Sequence, residues 1–483
     1  MESLSFWAAS APDQRDKTIA AALGTADNPL RTAIIGSGPA GFYTAAHLLK
    51  QDDIHVHVDM FDALPTPFGL VRFGVAPDHQ KIKSVTRVFD RIAQHDNFRF
   101  FGDVTIGKHL ALDDLTAHFH QVCFATGAQT DRRMGIPGED LARSHPATDF
   151  VAWFNGHPDY RDYEFDLSAE HVAVVGVGNV AVDVARILCR TPEELAATDI
   201  ADHALGALSN SSVRTVTMLG RRGPAQAAFT NPEVRELGEL EGADICVLPN
   251  EVELDALSQT ELQESDDDKL KRKVEILQEF ALQERQGKER LLILRFLVSP
   301  TELIPGEDGG VRAMQLVKNE LCIEDDRLRP RATGEIEEIP VDLVFRSVGY
   351  RGVPIEGVPF HDSWGIIPNN AGQVTEVQSG KPRTGIYVSG WIKRGPTGVI
   401  GTNKKDGTET ATAMLEDARS SAVLVPENSD PTAIEALVRE RQPQVVTYGD
   451  WARLDKLEVS RGEDQDRPRV KLTSRAEVRE ALE

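Results

Sequence analysis

Residues 32–41 read TAIIGSGPAG, and residues 171–182 read HVAVVGVGNVAV. Each is a short apolar run that breaks into closely spaced glycines and then resumes as a helix-compatible stretch. A single Gly-x-Gly-x-x-Gly is weak evidence, because glycine recurs in turns for steric reasons alone. Here the pattern comes twice, each time between a predicted strand and a predicted helix, and each time with a second strand downstream. That context identifies a dinucleotide-binding turn. Gly36 permits the tight turn off the strand, Gly38 lets backbone approach a pyrophosphate, and Gly41 lets the helix pack against the sheet. Gly176 and Gly178 repeat the first two roles, with Ala181 in the third place. The N–H groups at each helix start then receive negative charge. The fold class is α/β, with two Rossmann-like dinucleotide-binding domains.

The second strands separate the ligands. His55–Phe61 ends at Asp62, a carboxylate placed for a ribose hydroxyl, which suits FAD or NAD. Val213–Leu219 is followed by Gly220-Arg221-Arg222, with no acid. Two guanidiniums suit a 2′-phosphate through bidentate charge-assisted bonds, so NADP(H) is expected at the second turn. The plain alternative for that pair is a solvated surface charge.

The bulk numbers set outer limits. At 483 residues the chain is too long for one core. Composition is that of an ordinary globular protein, 41% hydrophobic and 27% charged. A net charge of −23 argues against nucleic-acid binding, which needs clustered cations. Cys123, Cys189, Cys246 and Cys322 are far apart, so there is no local redox disulfide or iron–sulfur ligand run, and no metal site is expected. No stretch approaches the roughly 18 apolar residues of a membrane span, and the N-terminus lacks a signal or transit pattern. A cytoplasmic protein with no membrane contact is expected, with a monomer as the default.

Several longer stretches carry a more specific likeness. PTPFGLVRFGVAPDH at 65–79, GNVAVDVARIL at 178–188, GRRGPAQAAFTNPEVREL at 220–237 and GWIKRGPTGVIGTNKKDG at 390–407 resemble the adrenodoxin-reductase-like ferredoxin–NADP reductases, most closely the bacterial members. The resemblance spans about residues 30–420. It implies an NADP domain inserted into a discontinuous FAD domain: a lead-in at 1–30, FAD domain at 31–130, NADP domain at 131–345, FAD domain again at 346–425, and a tail at 426–483. That tail is polar and helix-prone and reads as a solvated terminal element. Residues 291–345 read as short strands with turns.

The same resemblance implies FAD contacts at Ala40, Asp62, Leu70, Ile106, Trp391, Gly398, Val399 and Ile400. For NADP it implies Arg132, Asn179, Val180, Ala181, Val182, Arg221, Arg222 and Glu233. Asp62 stands where Glu is common in relatives. The implied activity is hydride transfer between NADPH and flavin, with single-electron transfer to a small acidic ferredoxin-type iron–sulfur protein. His79 and Asp183 form a candidate pair near the flavin, with Glu236 as a third, able to orient the nicotinamide or relay a proton; a purely structural interdomain contact is the alternative. Lys269, Lys271, Arg272, Lys273, Lys288, Arg290, Arg186 and Arg190 are the candidates for a basic docking face.

Other readings of the same fold differ in output. A disulfide reductase would need a Cys-x-x-Cys, and the electron-feeding subunit of a synthase would need cysteine clusters. An NADPH-dependent flavin monooxygenase or a non-catalytic FAD/NADP-binding sensor is compatible with the fold.

Overall fold

The computed structural model describes residues 22–483; the first 21 residues of the expected lead-in lie outside the described residues. The strand Leu30–Ile35 is buried along its whole length, which is why it reads as an apolar run rather than an alternating one. It pairs in parallel with Val56–Phe61 on one side and Gln121–Phe124 on the other. Phe98–Phe101 and Pro382–Val388 extend the parallel sheet, and Gln373–Thr375 and Asn369–Asn370 add an antiparallel edge. Both faces are covered, as parallel sheets require: Leu30, Ile34, Phe42 and Val58 share one core, and Ala33, Ile35, Phe61 and Val122 share the other.

A second, wholly parallel sheet has the order Ser144–Pro146, Leu343–Arg346, His171–Val175, Thr215–Gly220, Arg290–Phe296, Ala243–Val247. Its strands all lie within the sequence gap between 124 and 369. The chain leaves the first sheet at Thr130–Asp131 and returns at Tyr350–Arg351, and these two segments pair antiparallel, Tyr350 opposite Asp131. In each sheet the glycine turn follows a central strand whose neighbours on its two sides are reached by connections in opposite directions. That is the crevice where open α/β sheets bind ligands.

Two expectations are corrected here. The region 298–340 is not a set of short strands but a three-stranded antiparallel sheet whose last two members, Val311–Glu324 and Arg327–Pro340, are long. The tail is not a solvated element. Its helices Pro431–Arg441, Tyr448–Glu463 and Arg475–Leu482 place Ile434, Val438, Trp451, Leu454 and Val478 in the cores of the first sheet. The polar composition misleads because part of what it buries is charged. Glu458, with no exposed surface, accepts two bonds from Arg72 (2.5 and 2.9 Å), one from Arg469 (3.1 Å) and one from Leu472 N (2.8 Å). The Arg72 guanidinium also lies 5.1 Å over the Trp451 ring. No helix among the described residues is long and apolar enough to cross a membrane.

Breaking a buried pair from one side leaves an uncompensated charge, at a cost of about 3–5 kcal/mol. Glu458→Gln should therefore lower the guanidinium-chloride midpoint clearly, whereas an unchanged midpoint would mean that the tail contributes little to the fold.

Candidate functional site

The first turn is built by three glycines with different constraints. Gly36 has φ 108°, and a Cβ there would stand 2.5 Å from the Ala125 carbonyl oxygen; one on Gly41 would stand 2.1 Å from that of Gly36. A Cβ on Gly38 would meet nothing within 4 Å. The helix Pro39–Leu48 starts there with no side-chain cap. Open space and unsatisfied N–H groups therefore coincide, and that is what a pyrophosphate such as that of FAD needs. Asp62 sits beside the turn, Oδ2 accepting from Ser37 N (2.7 Å) and Oγ (2.6 Å) and Oδ1 from Leu64 N (2.9 Å). Burial pushes its carboxyl above the usual range, against those bonds.

The 65–79 loop folds over this turn: Phe68 N donates to Ser37 O, and Gly69, at φ 47°, comes close to Gly38 Cα. Leu70 is exposed beside it and Ile106 is half-buried. The 390–407 block arrives from the other side. Gly390, at φ 82°, packs so closely that a Cβ would stand 2.5 Å from that of Ala40. Asp406 accepts from Gly390 N and pairs with Lys393 (3.2 Å). Trp391 lies 5.4 Å from Tyr350 and donates to Thr397 O (3.1 Å), which leaves Gly398 and Val399 exposed and Ile400 half-buried at the first turn's rim.

The second turn repeats the logic. Gly176 has φ 135° and a Cβ there would stand 2.3 Å from Ser347 O, while the space over Gly178 is open and the helix Asn179–Cys189 begins without a side-chain cap. Asn179 accepts from Thr230 N (2.9 Å). Val180 is half-buried. The side chains of Ala181 and Val182 are fully buried, and Val182 N already bonds Gly178 O, so Val182 offers a ligand little beyond shape. Arg221 and Arg222 follow the strand Thr215–Gly220. Their backbone is pinned by Asn319, which donates to Arg221 O (2.9 Å), and by Leu297 N to Arg222 O (3.1 Å). Neither side chain has a carboxylate partner among the described residues. Burial, then Arg221 and Arg329, push the Arg222 guanidinium below its usual range, the situation a bound phosphate would relieve. Arg132 is exposed and bonds Tyr350 O and Trp364 O.

Between the two turns lies a buried ionic cluster. His79 Nε2 is 2.7 Å from Glu236 Oε2 and 3.7 Å from Glu233 Oε2, and His79 Nδ1 is 3.9 Å from Asp183 Oδ1. So the histidine and Asp183 do meet across the two sheets' elements, but Glu236 is the direct partner. Arg186, with no exposed surface, bonds Asp183 (2.6 Å), Asp78 (2.7 Å) and Glu236 (2.7 Å).

This geometry has close counterparts among known proteins. The pyridine nucleotide-disulphide oxidoreductase family matches residues 30–218. The NADPH-ferredoxin reductase FprA of Mycobacterium leprae is 45% identical, over 92% of this chain and 97% of its own. The mitochondrial NADPH:adrenodoxin oxidoreductase of Salvelinus fontinalis is 41% identical, over 93% and 90%. The structure of Mycobacterium tuberculosis FprA in complex with NADPH superposes with a TM-score of 0.87 at 43% identity, over 94% of this chain and all of that one. The chain belongs to the FprA and adrenodoxin reductase family.

The cluster's groups depart from their ordinary protonation ranges. Burial would push the His79 imidazolium down, but the bond to Glu236 and the charges of Asp183 and Asp78 hold it above its usual range. Burial, reinforced by Glu233, pushes Asp183 up to about 7 despite Arg186 and His79. Burial also raises Glu233, whose Oε2 has no hydrogen-bond partner, whereas His79 and Arg186 hold Glu236 low. Asp183 is therefore the carboxyl that exchanges a proton near neutrality. His79, Asp183 and Glu233 also have donor atoms within 4.8 Å of one another, but Arg186 already supplies the cation there.

The expected basic face does not form. Arg186 and Arg290 are buried, Lys273 and Lys288 donate to the carbonyls of Ala227 and Leu240, Arg272 pairs with Glu275 and Glu279, and Arg190 pairs with Asp78 and Glu194. Only Lys269 and Lys271 of the eight are exposed and unpaired. Arg186 is the residue that sequence reasoning misplaced. The Asp183-x-x-Arg186 spacing, which puts both on one helix face, is the signal that could have found it.

Two measurements follow from this geometry. Gly38→Ala and Gly178→Ala have room for the methyl group and should fold normally, yet lose affinity for FAD and NADP(H) respectively; retained affinity by calorimetry would place the phosphates elsewhere. Asp183 ordinarily titrates near 3.8 and here near 7, so the folded state binds the extra proton and loses stability as pH rises through that window. The melting temperature of Asp183→Asn relative to the parent should accordingly improve from pH 5 to pH 8, and a constant difference would show Asp183 ionised throughout.

Proposed function

We propose that the chain binds FAD at its first glycine turn and NADP(H) at its second, and passes electrons from NADPH through the flavin to a ferredoxin-type iron–sulfur protein. The observation that carries this is the pairing of two open, uncapped turns with opposite flanks, Asp62 beside one and the unpaired Arg221 and Arg222 beside the other. The family relatives named for NADPH and ferredoxin or adrenodoxin support it.

Bound FAD would supply the two-electron to one-electron conversion, which no side chain here can perform. The protein's own part is placement and electrostatics. Backbone N–H groups at Gly38 and Gly178 hold phosphates, and Asp62 holds a ribose hydroxyl. Arg221 and Arg222 bind the 2′-phosphate through charge-assisted bonds, and the half-buried Arg222 gains most from the anion. Ala40, Leu70, Ile106, Trp391 and the turn Gly398–Ile400 border the flavin, and Arg132, Asn179 and Glu233 border the nicotinamide nucleotide. His79, held by Glu236, keeps a proton at its ring nitrogen where the two sites face each other, and Asp183 holds a second one close by.

The partner is read as a small acidic protein. With six of the eight expected cations buried or engaged, Lys404 and Lys405, both exposed beside the Gly398–Ile400 turn, are the cations best placed to receive it.

The deciding experiment is anaerobic mixing of the purified protein with NADPH and with NADH. A yellow protein bleached much faster by NADPH is the expected result. A colourless protein that takes up no FAD would overturn the reading, and a yellow one that NADPH does not bleach would make it a nucleotide-binding protein without electron flow.

A further inference from the structure

The segment 467–475 runs along the join between the two sheet units and touches both. Arg475 bonds Asp103 Oδ1 (2.9 Å) and Ala63 O (3.2 Å) in the first unit and Asp159 in the second. Arg467 bonds Thr198 O (3.1 Å), Ile200 O and Asp202 (2.6 Å) in the second. Between them Lys471, only 1% exposed at its side chain, inserts its ammonium where three pieces of chain meet. Its Nζ lies 3.5 Å from Arg72 O, 3.1 Å from Asn155 O, 3.3 Å from Asn155 Oδ1 and 3.5 Å from Asp199 Oδ2. Asn155 caps the C-terminus of the helix Ala147–Phe154, which packs in the second unit's core. Asp199 in turn takes Lys83 (2.7 and 2.8 Å).

Arg72 and Lys83 bracket the loop that carries His79. On its far side this loop is held by Arg186 and Arg190 through Asp78. On its near side the hold passes through Lys471 and Asp199. One carboxylate serves two lysines here, with Arg72 and Arg469 adding positive charge nearby, so Asp199 is held down at about 2 and burial drives Lys471 well below the usual lysine range. Two lysines and an aspartate out of water are not needed to fill space, since apolar residues of that volume would do it at less cost. What such a contact supplies is one fixed geometry.

We propose that Lys471 is a positioning residue: reaching from the C-terminal segment, it locks the His79 loop to the second unit and so fixes the spacing between the flavin and nicotinamide sites. The inference rests on the electron-transfer reading above. Its contacts, Arg72, Asn155 and Asp199, are not among the residues assigned to either nucleotide, so Lys471 acts on the relation between the sites and leaves each site intact. A displacement of the order of 1 Å between reacting groups costs on the order of 100-fold in rate.

The test compares the parent with Lys471→Met, Asp199→Asn and the double variant. Each should retain FAD by its visible spectrum and bind adenosine 2′,5′-bisphosphate, which reports the second turn alone, as tightly as the parent. Affinity for whole NADP⁺ should fall, amide exchange in 70–83 should quicken, and anaerobic bleaching by NADPH should slow by about 10- to 100-fold. The double variant should lose no more than the worse single one, because both ends belong to one contact. Unchanged bleaching and unchanged NADP⁺ affinity would overturn the proposal. So would loss of FAD and of the folded state in every variant, which would make Lys471 a residue of the fold alone. If the parent itself is not bleached, the functional reading fails instead. The two binding measurements then decide: NADP⁺ affinity lost with bisphosphate affinity kept supports the proposal, and both kept overturns it.

Discussion

A guanidinium that no solvent reaches has to be neutralised where it stands, because arginine does not give up its proton. Arg186 is in that position, and its three carboxylates come from different places: Asp183 from its own helix, Asp78 from the loop that covers the first turn, and Glu236 from the helix Asn231–Glu236. The two sheets can only come together with those acids in reach. His79 follows Asp78 directly, so bringing the aspartate to Arg186 also brings the imidazole to Glu236 and Glu233. Placement of the histidine is thus a by-product of charge neutralisation one residue away.

The same need for neutralisation explains why the acids in this cluster differ so much. Glu236 has two cationic partners and stays ionised easily. Glu233 has an unbonded oxygen, and Asp183 shares its arginine with two other acids. Their environments are close in space and opposite in effect, which is how a protein obtains one permanently charged carboxylate and one proton-carrying carboxylate from similar side chains.

Much of this was legible in the sequence because it depended on local rules. A parallel strand buried on both faces must be apolar throughout, and LRTAII at 30–35 is nearly that, apart from Arg31, which finds Asp59. The glycine turns declare themselves because Gly36, Gly41 and Gly176 have no room for a Cβ. Asp62, Arg221 and Arg222 follow from strand ends. The rest depended on pairing between distant segments. Lys273 and Arg290 look like surface cations until their acceptors, far away in sequence, are known. The tail looks solvated because Glu458 and Lys471 are charged, and their burial depends in large part on Arg72 and Asp199, more than 250 residues earlier by sequence number. Glu236 and Asp183 could not be ranked as partners of His79 without the angle between two sheets.

The antiparallel meeting of Thr130–Asp131 with Tyr350–Arg351 has an implication of another kind. The chain goes out to the second sheet and comes back through one narrow stem, so everything between those segments is a cassette whose two ends are already adjacent. A cassette of that form can be exchanged for another nucleotide-binding module without rerouting the remainder of the chain. The first sheet unit and the unit inserted into it can therefore diverge separately over evolutionary time, with the stem as the graft point and the C-terminal segment as the part that must be refitted after each exchange.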